Sequence, residues 1–162
     1  LIINKENNGF SYEVASASLE LLLKKEKRLT KPPFNLIEYD VRLKSTNLDK
    51  ENQCTASIKL SINEIEIEKT AIGNGPVAAL DKALREALLK FYPSLDKVKL
   101  TDYKVRVVNE SEATESIVRV SIESADDKEV WTTVGASSNI IEASWMALSD
   151  SMEWWLIKNI ID

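Results

Sequence analysis

The stretch ASIKLSINEIEIEKTAIGNGPVAALDKALREALLKFYP, residues 56–93, changes its hydrophobic period partway along, and that change decides the fold class. Ala56, Ile58, Leu60 and Ile62 alternate with Ser57, Lys59 and Ser61, the period of two of a strand with one buried and one solvated face. Asn63-Glu64 offers a tight turn into a second strand over residues 65–72. Gly73-Asn74-Gly75-Pro76 then breaks the strand. Beyond the break Val77, Leu80, Leu84, Leu88 and Phe91 form a helical stripe, Pro76 suits the first helical turn, and Pro93 ends the helix.

Just upstream, Ile37, Tyr39, Val41 and Leu43 alternate with Glu38, Asp40, Arg42 and Lys44, which adds a third strand and makes a βββα unit. The rest of the chain repeats that order. Tyr39-Asp40-Val41-Arg42-Leu43 lies against Tyr103-Lys104-Val105-Arg106-Val107, and residues 57–62 are set against residues 117–122. Asp126-Asp127 marks the second hairpin turn, and residues 130–134 the third strand. Gly135-Ala136-Ser137-Ser138-Asn139 is the breaker before a helix carrying Ile141, Trp145, Leu148, Met152 and Trp155. On this alignment the second breaker is about two residues longer than the first.

Ahead of the first unit, Asn8-Gly9 signals a turn. SYEVASASLELLLKKEKR, residues 11–28, reads as one helix with Val14, Ala17, Leu21 and Leu22 on its apolar side. Pro32-Pro33 stops it. The predicted organisation is therefore α+β. A helical connector over residues 1–30 and a Pro linker over 31–33 lead into two βββα units, residues 34–93 and 98–162, related by a pseudo-twofold. In each unit a helix covers one face of a three-stranded sheet.

Composition narrows the chemistry. The 162 residues contain no histidine, which removes the usual general base and triad partner and a common zinc ligand. One cysteine, Cys54, cannot build a zinc cage or a disulfide within the chain. The net charge of −5 disfavours nucleic acid and anionic lipid, and no run approaches a bilayer span, so a cytoplasmic setting is expected. The order of a helix, three strands and a helix also occurs in double-stranded RNA-binding domains. Residues 135–155, however, carry Glu142, Asp150 and Glu153 and neither lysine nor arginine. The chain begins at Leu1 and is read as a piece of a longer polypeptide.

Carboxylates are numerous, but Glu64, Glu66 and Glu68 read as a solvated strand face and Asp126-Asp127 as turn chemistry. Cys54 reads as a structural thiol. Adjacent Trp154 and Trp155 are not expected to share one core, so one of them is assigned to a partner subunit. The Gly73–Pro76 loop is the best ligand candidate, because glycines expose backbone N–H groups at a helix start that favours an anion. With residues 135–139 at the equivalent place, two such loops have the capacity to hold a small carboxylate such as an amino acid.

Three strings carry a resemblance: GNGPVAALDKALREAL (73–88), DYKVRVVN (102–109) and WTTVGASSNIIEASWMALSDSMEW (131–154). They resemble the C-terminal regulatory domain of 2-isopropylmalate and citramalate synthases. YEVASASLELLLKK (12–25) is similar to the helical subdomain preceding that domain, and with NLIEYDVRLKS (35–45) it favours the citramalate branch. The resemblance implies a homodimerising allosteric module, without a cofactor of its own, that binds a branched-chain amino acid for feedback inhibition. Isoleucine is favoured and leucine comes next. It also implies an upstream catalytic barrel in the same polypeptide, holding a divalent metal and condensing acetyl-CoA with a 2-oxo acid. The alternative is a ligand-free structural dimerisation domain.

Carried across by position, the implied effector pocket comprises Asn74, Gly75, Val77 and Ala78, then Leu100, Tyr103, Val107 and Thr114, then Ala136 and Ser138. Backbone donors at residues 74–78 would take the carboxylate, loop carbonyls the ammonium, and Val77, Leu100, Tyr103 and Val107 the branched side chain.

Overall fold

The computed structural model describes residues 2–45, 53–108 and 116–161. The chain forms two compact bodies, residues 32–96 and residues 1–31 with 97–162.

The first body holds β1 (Asn35–Lys44), β2 (Gln53–Ile62) and β3 (Ile65–Gly73), an antiparallel sheet in that order, and α3 (Pro76–Leu89). Alternation along β2 buries Cys54, Ala56, Ile58, Leu60 and Ile62 completely. Asn63 and Glu64 both take positive φ (49° and 66°), so the twist of the turn matches that of the strands it joins. On α3, Ala79, Leu80, Ala83, Leu84, Ala87 and Leu88 recur at spacings of one, three and four and meet β2 and β3. Each buried leucine contributes about 1.5–3 kcal/mol. The helix lies mainly over β2 and β3, and the apolar face of β1 is left largely open, with Leu43 61% exposed.

The second body repeats the plan with β4 (Lys99–Val107), β5 (Val118–Ala125), β6 (Val130–Ser137) and α4 (Ile140–Leu156), which runs into a π turn over Ile157–Ile161. Its ladders correct the alignment of the repeat. Tyr39 faces Ile58 and Tyr103 faces Ile122, and a bulge interrupts Leu36/Glu38 and again Leu100/Asp102. Cys54 faces Gly73 as Val118 faces Ser137. Every equivalent pair is sixty-four residues apart, including the helix N-caps Gly75 and Asn139. Residues 57–62 therefore correspond to 121–126 rather than 117–122, and the two breakers are equal in length. Alternating strands look alike when slid by an even number of residues, so only the ladder fixes the register.

Two helices precede β1, α1 (Ile2–Asn7) and α2 (Ser16–Glu26). The expected single helix begins later than Ser11, and Val14 lies outside it, 70% exposed. Gly9 makes the turn at φ +92°, where an added Cβ would sit 2.5 Å from Ile117 Cγ2. Arg119 donates to the carbonyls of Gly9 and Phe10 and holds that turn to β5. Helix α2 ends before the prolines, at Lys27 and the left-handed Arg28 (φ 52°), with Leu29 N–H bonded to Lys24 C=O.

Helix α2 packs on β6 and α4. Ser18 Oγ accepts from Val134 N–H on the open edge of β6 at 3.0 Å, and Tyr12, Ala15 and Val134 form a small apolar cluster with Phe10, Leu19 and Leu22. Covered by the sheet on one side and α2 on another, α4 buries eleven of its residues. That sandwiching overturns the assignment of a tryptophan to a partner. Trp154 tilts against Trp131 and donates to Glu20 on α2, while Trp155 donates to Asp126 in the β5–β6 turn. Both are buried within their own chain.

Candidate effector site

Helix α3 begins with its end uncapped. Gly75 occupies the N-cap in an extended conformation (φ −170°, ψ 171°) and has no side chain to bond the helix start. Pro76 follows, and the first turn contains no acid. The first N–H groups of a helix have no intrahelical acceptor, and they carry its partial positive charge. A Cβ on Gly75 would have nothing within 4 Å, so approach to this end is open. Gly73 has the opposite reason to be glycine: a Cβ there would lie 2.6 Å from Ala79 N and 2.9 Å from Ala78 C, where strand end and helix start press together. Asn74 and Ala78 are exposed and Val77 is half-buried beside them.

Helix α4 begins differently. Asn139 is its N-cap, with Oδ1 accepting from Ile141 N–H at 2.8 Å and Glu142 N–H at 3.4 Å. Ser137 Oγ bonds the Glu142 carboxylate and accepts from Asn139 N–H. The donors are satisfied and a negative charge stands at the helix start, so this end is unsuited to a carboxylate. The two breaker loops are equivalent in position but not in chemistry, contrary to the expectation of a matched pair.

The strand group falls on β4. Leu100, Tyr103, Val105 and Val107 pair with Ser124, Ile122, Val120 and Val118 on the helix-facing side of the sheet. As in the first body, the helix covers the second and third strands and leaves this stripe accessible; Val105 and Val107 are 40% and 55% exposed. Tyr103 is tied to α4, its hydroxyl 3.2 Å from Ser144 Oγ, and Ser144 in turn donates to Ile140 C=O.

The structure thus gathers Asn74, Gly75, Val77 and Ala78 at one helix start and Leu100, Tyr103 and Val107 on one stripe of the other body. Ser138 is exposed in the loop before α4. Ala136 pairs with Arg119, on the sheet face opposite that stripe, and its Cβ lies beneath Gly9, so only its main chain is available to a ligand on the helix side. Thr114 lies outside the described residues. Sequence reasoning missed Val105, which belongs to the stripe by alternation, and Ser144. It also missed the cap of α4, although Asn139 with Glu142 three residues on is a capping-box pattern.

The profile of the LeuA allosteric (dimerisation) domain matches residues 13–156. The chain is 47% identical over 154 residues to the (R)-citramalate synthase of Aquifex aeolicus and 46% identical over 155 residues to that of Geobacter sulfurreducens. These matches cover 95% of this chain and 29% of each relative. The 2-isopropylmalate synthase of Shewanella sediminis is 28% identical over 148 residues, 91% of this chain and 25% of that enzyme. The chain therefore spans about three-tenths of the length of its citramalate synthase relatives. With a match running from just before α2 to the end of α4, the chain belongs to the family of LeuA allosteric (dimerisation) domains.

Proposed function

We propose that the chain is the amino-acid-sensing, homodimerising part of a citramalate synthase, an acetyl-CoA-dependent acyltransferase of branched-chain amino acid biosynthesis. Isoleucine is its effector ahead of leucine. The observation that carries this reading is the uncapped start of α3 beside an open Gly75. An amino acid carboxylate would accept from the first N–H groups of α3, and half-buried Val77 at the same helix start suits a branched side chain. Binding regulates the enzyme only in so far as the effector's affinity differs between two states of the module.

Calorimetry of the chain with isoleucine and with leucine tests the proposal. Gly75→Asp serves as the discriminating variant, since the extended backbone and empty surroundings admit the side chain. The new carboxylate would cap α3 as Asn139 caps α4, leaving the fold intact and abolishing the heat of isoleucine binding. Absence of heat from both amino acids at millimolar concentration, with a folded wild-type sample, removes the reading in favour of a ligand-free dimerisation domain. Undiminished binding to Gly75→Asp moves the carboxylate away from α3.

A further inference from the structure

Where α2 lies on α4, the charges do not balance. Asp150 Oδ2 accepts from Ser18 Oγ at 2.9 Å, and its Oδ1 lies 3.6 Å from Lys25 Nζ. Lys25 also donates to Glu153, one turn further along α4, at 2.7 Å. One ammonium therefore serves two carboxylates, both largely withdrawn from water, with side chains 26% and 7% exposed. Among the described residues, the other packed elements do not make up the difference. The segment before α2 brings the Tyr12 phenol, raised to about 12 by burial and by the charges of Asp150 and Glu6, together with Lys5, which is held over the Phe10 ring 4.8 Å from its centroid. On α2, Lys24 pairs with Glu20, and β6 contributes Val134.

We propose that α2 is a strap tightened by a proton: its docking on α4 takes up a proton at Asp150, so the helical preface is held more firmly at mildly acidic than at neutral pH. A protonated Asp150 keeps its bond with Ser18 and leaves Lys25 wholly to Glu153, which removes the surplus buried negative charge. Burial, opposed by the weaker pull of Lys25 and Ser18, lifts the Asp150 carboxyl to about 6. A carboxyl raised by docking stabilises the docked state fully below its free value, and that contribution is lost as pH rises through the docked value. With a free value near 4, docking at pH 5.0 should exceed that at pH 7.5 by about tenfold.

Amide hydrogen exchange of the chain, resolved by residue and corrected for intrinsic rates, reads this directly. Protection of residues 19–26 should be about tenfold greater at pH 5.0 than at pH 7.5, while residues 145–152 change little. Asp150→Asn, a neutral isostere of the protonated acid, should hold α2 at the acidic level at both pH values. Lys25→Gln should loosen α2 at pH 7.5 and enlarge the ratio between the two pH values. Equal wild-type protection at both pH values, tighter docking at pH 7.5, or an Asp150→Asn chain that keeps the wild-type ratio would each overturn the proposal. Should that variant not fold, a ratio in Lys25→Gln no larger than the wild type's does so.

Discussion

Replacing Gly135 with alanine forces α4 away from β6. An added Cβ would collide with the carbonyl oxygen of Ala143 and lie 2.9 Å from its carbonyl carbon and 2.8 Å from Met146 Cβ. Two of these three atoms are main chain in a hydrogen-bonded helix, so no side-chain rotation relieves the overlap. Relief requires lifting the helix by about 1 Å, and a gap of that size forfeits roughly a quarter to a half of each contact across it. The contacts at stake include those of Thr133 with Ala147 and of Trp131 with Ser151, all four residues buried. Overpacking in a core costs about 1–3 kcal/mol, and a main-chain collision belongs at the upper end. We expect a loss of about 3 kcal/mol, and a melting temperature lower by roughly 15 °C for a body of about 100 residues. All four tryptophans (131, 145, 154 and 155) belong to this body, so urea unfolding followed by tryptophan fluorescence reports on it selectively. Ser138→Ala, at an exposed position of the same body, is the control and should stay within about 0.5 kcal/mol of wild type. A loss below about 1 kcal/mol for Gly135→Ala would show that helix and strand are not in the contact described.

Asn139→Ala removes the acceptor of two N–H groups at the start of α4 and should cost about 1 kcal/mol in the same assay; no measurable cost would mean that Ser137 and Glu142 close the helix unaided. At Asp126, burial opposes ionisation, but bonds from Trp155 Nε1 and from the N–H groups of Lys128 and Glu129 outweigh it and hold the carboxyl below its ordinary value. A lowered carboxyl stabilises the fold above its free value and ceases to do so as pH falls through the folded one. Urea midpoints should therefore drop as pH falls below about 4, and less steeply in Asp126→Asn; parallel curves would count against Asp126 as the group responsible.

Much of the fold was legible because each element carries its own period. The run from Ala56 to Ile62 can bury one face only as a strand, and the spacing of Leu80, Leu84 and Leu88 can do so only as a helix. What could not be read was relational. The four-residue error in matching the second strands arose because alternation is unchanged by an even shift, and it took the pairing of Tyr103 with Ile122 to remove it. The burial of both Trp154 and Trp155 depends on α2 returning to cover α4, a contact between residues more than a hundred positions apart. Of the site, the helix start at Gly75 was visible as a glycine-rich break, whereas Ser144 was not, since a serine within a helix announces no partner until Tyr103 is placed beside it.

The corrected repeat gives the differences between the two halves a physical meaning. Gly73 corresponds to Ser137, and Gly135 corresponds to Ala71, so each helix presses on its third strand at a different point. In the first half the contact falls at the last residue of β3, against Ala78 and Ala79, which pins the helix start to the strand end and leaves Gly75 as a bare cap. In the second half the contact lies two residues earlier in the strand and meets the helix at Ala143, the counterpart of Ala79, and at Met146 a turn further on. The loop beyond it is then free to carry side chains, and Ser137, Asn139 and Glu142 close the end. Leu80 likewise becomes Ser144, which gives Tyr103 a hydroxyl to meet that Leu80 does not offer in the first half. A duplicated unit with two open helix starts would present two equivalent anion sites. Here the close-contact glycine has moved by two residues along the strand, and the helix start that remains uncapped is that of α3.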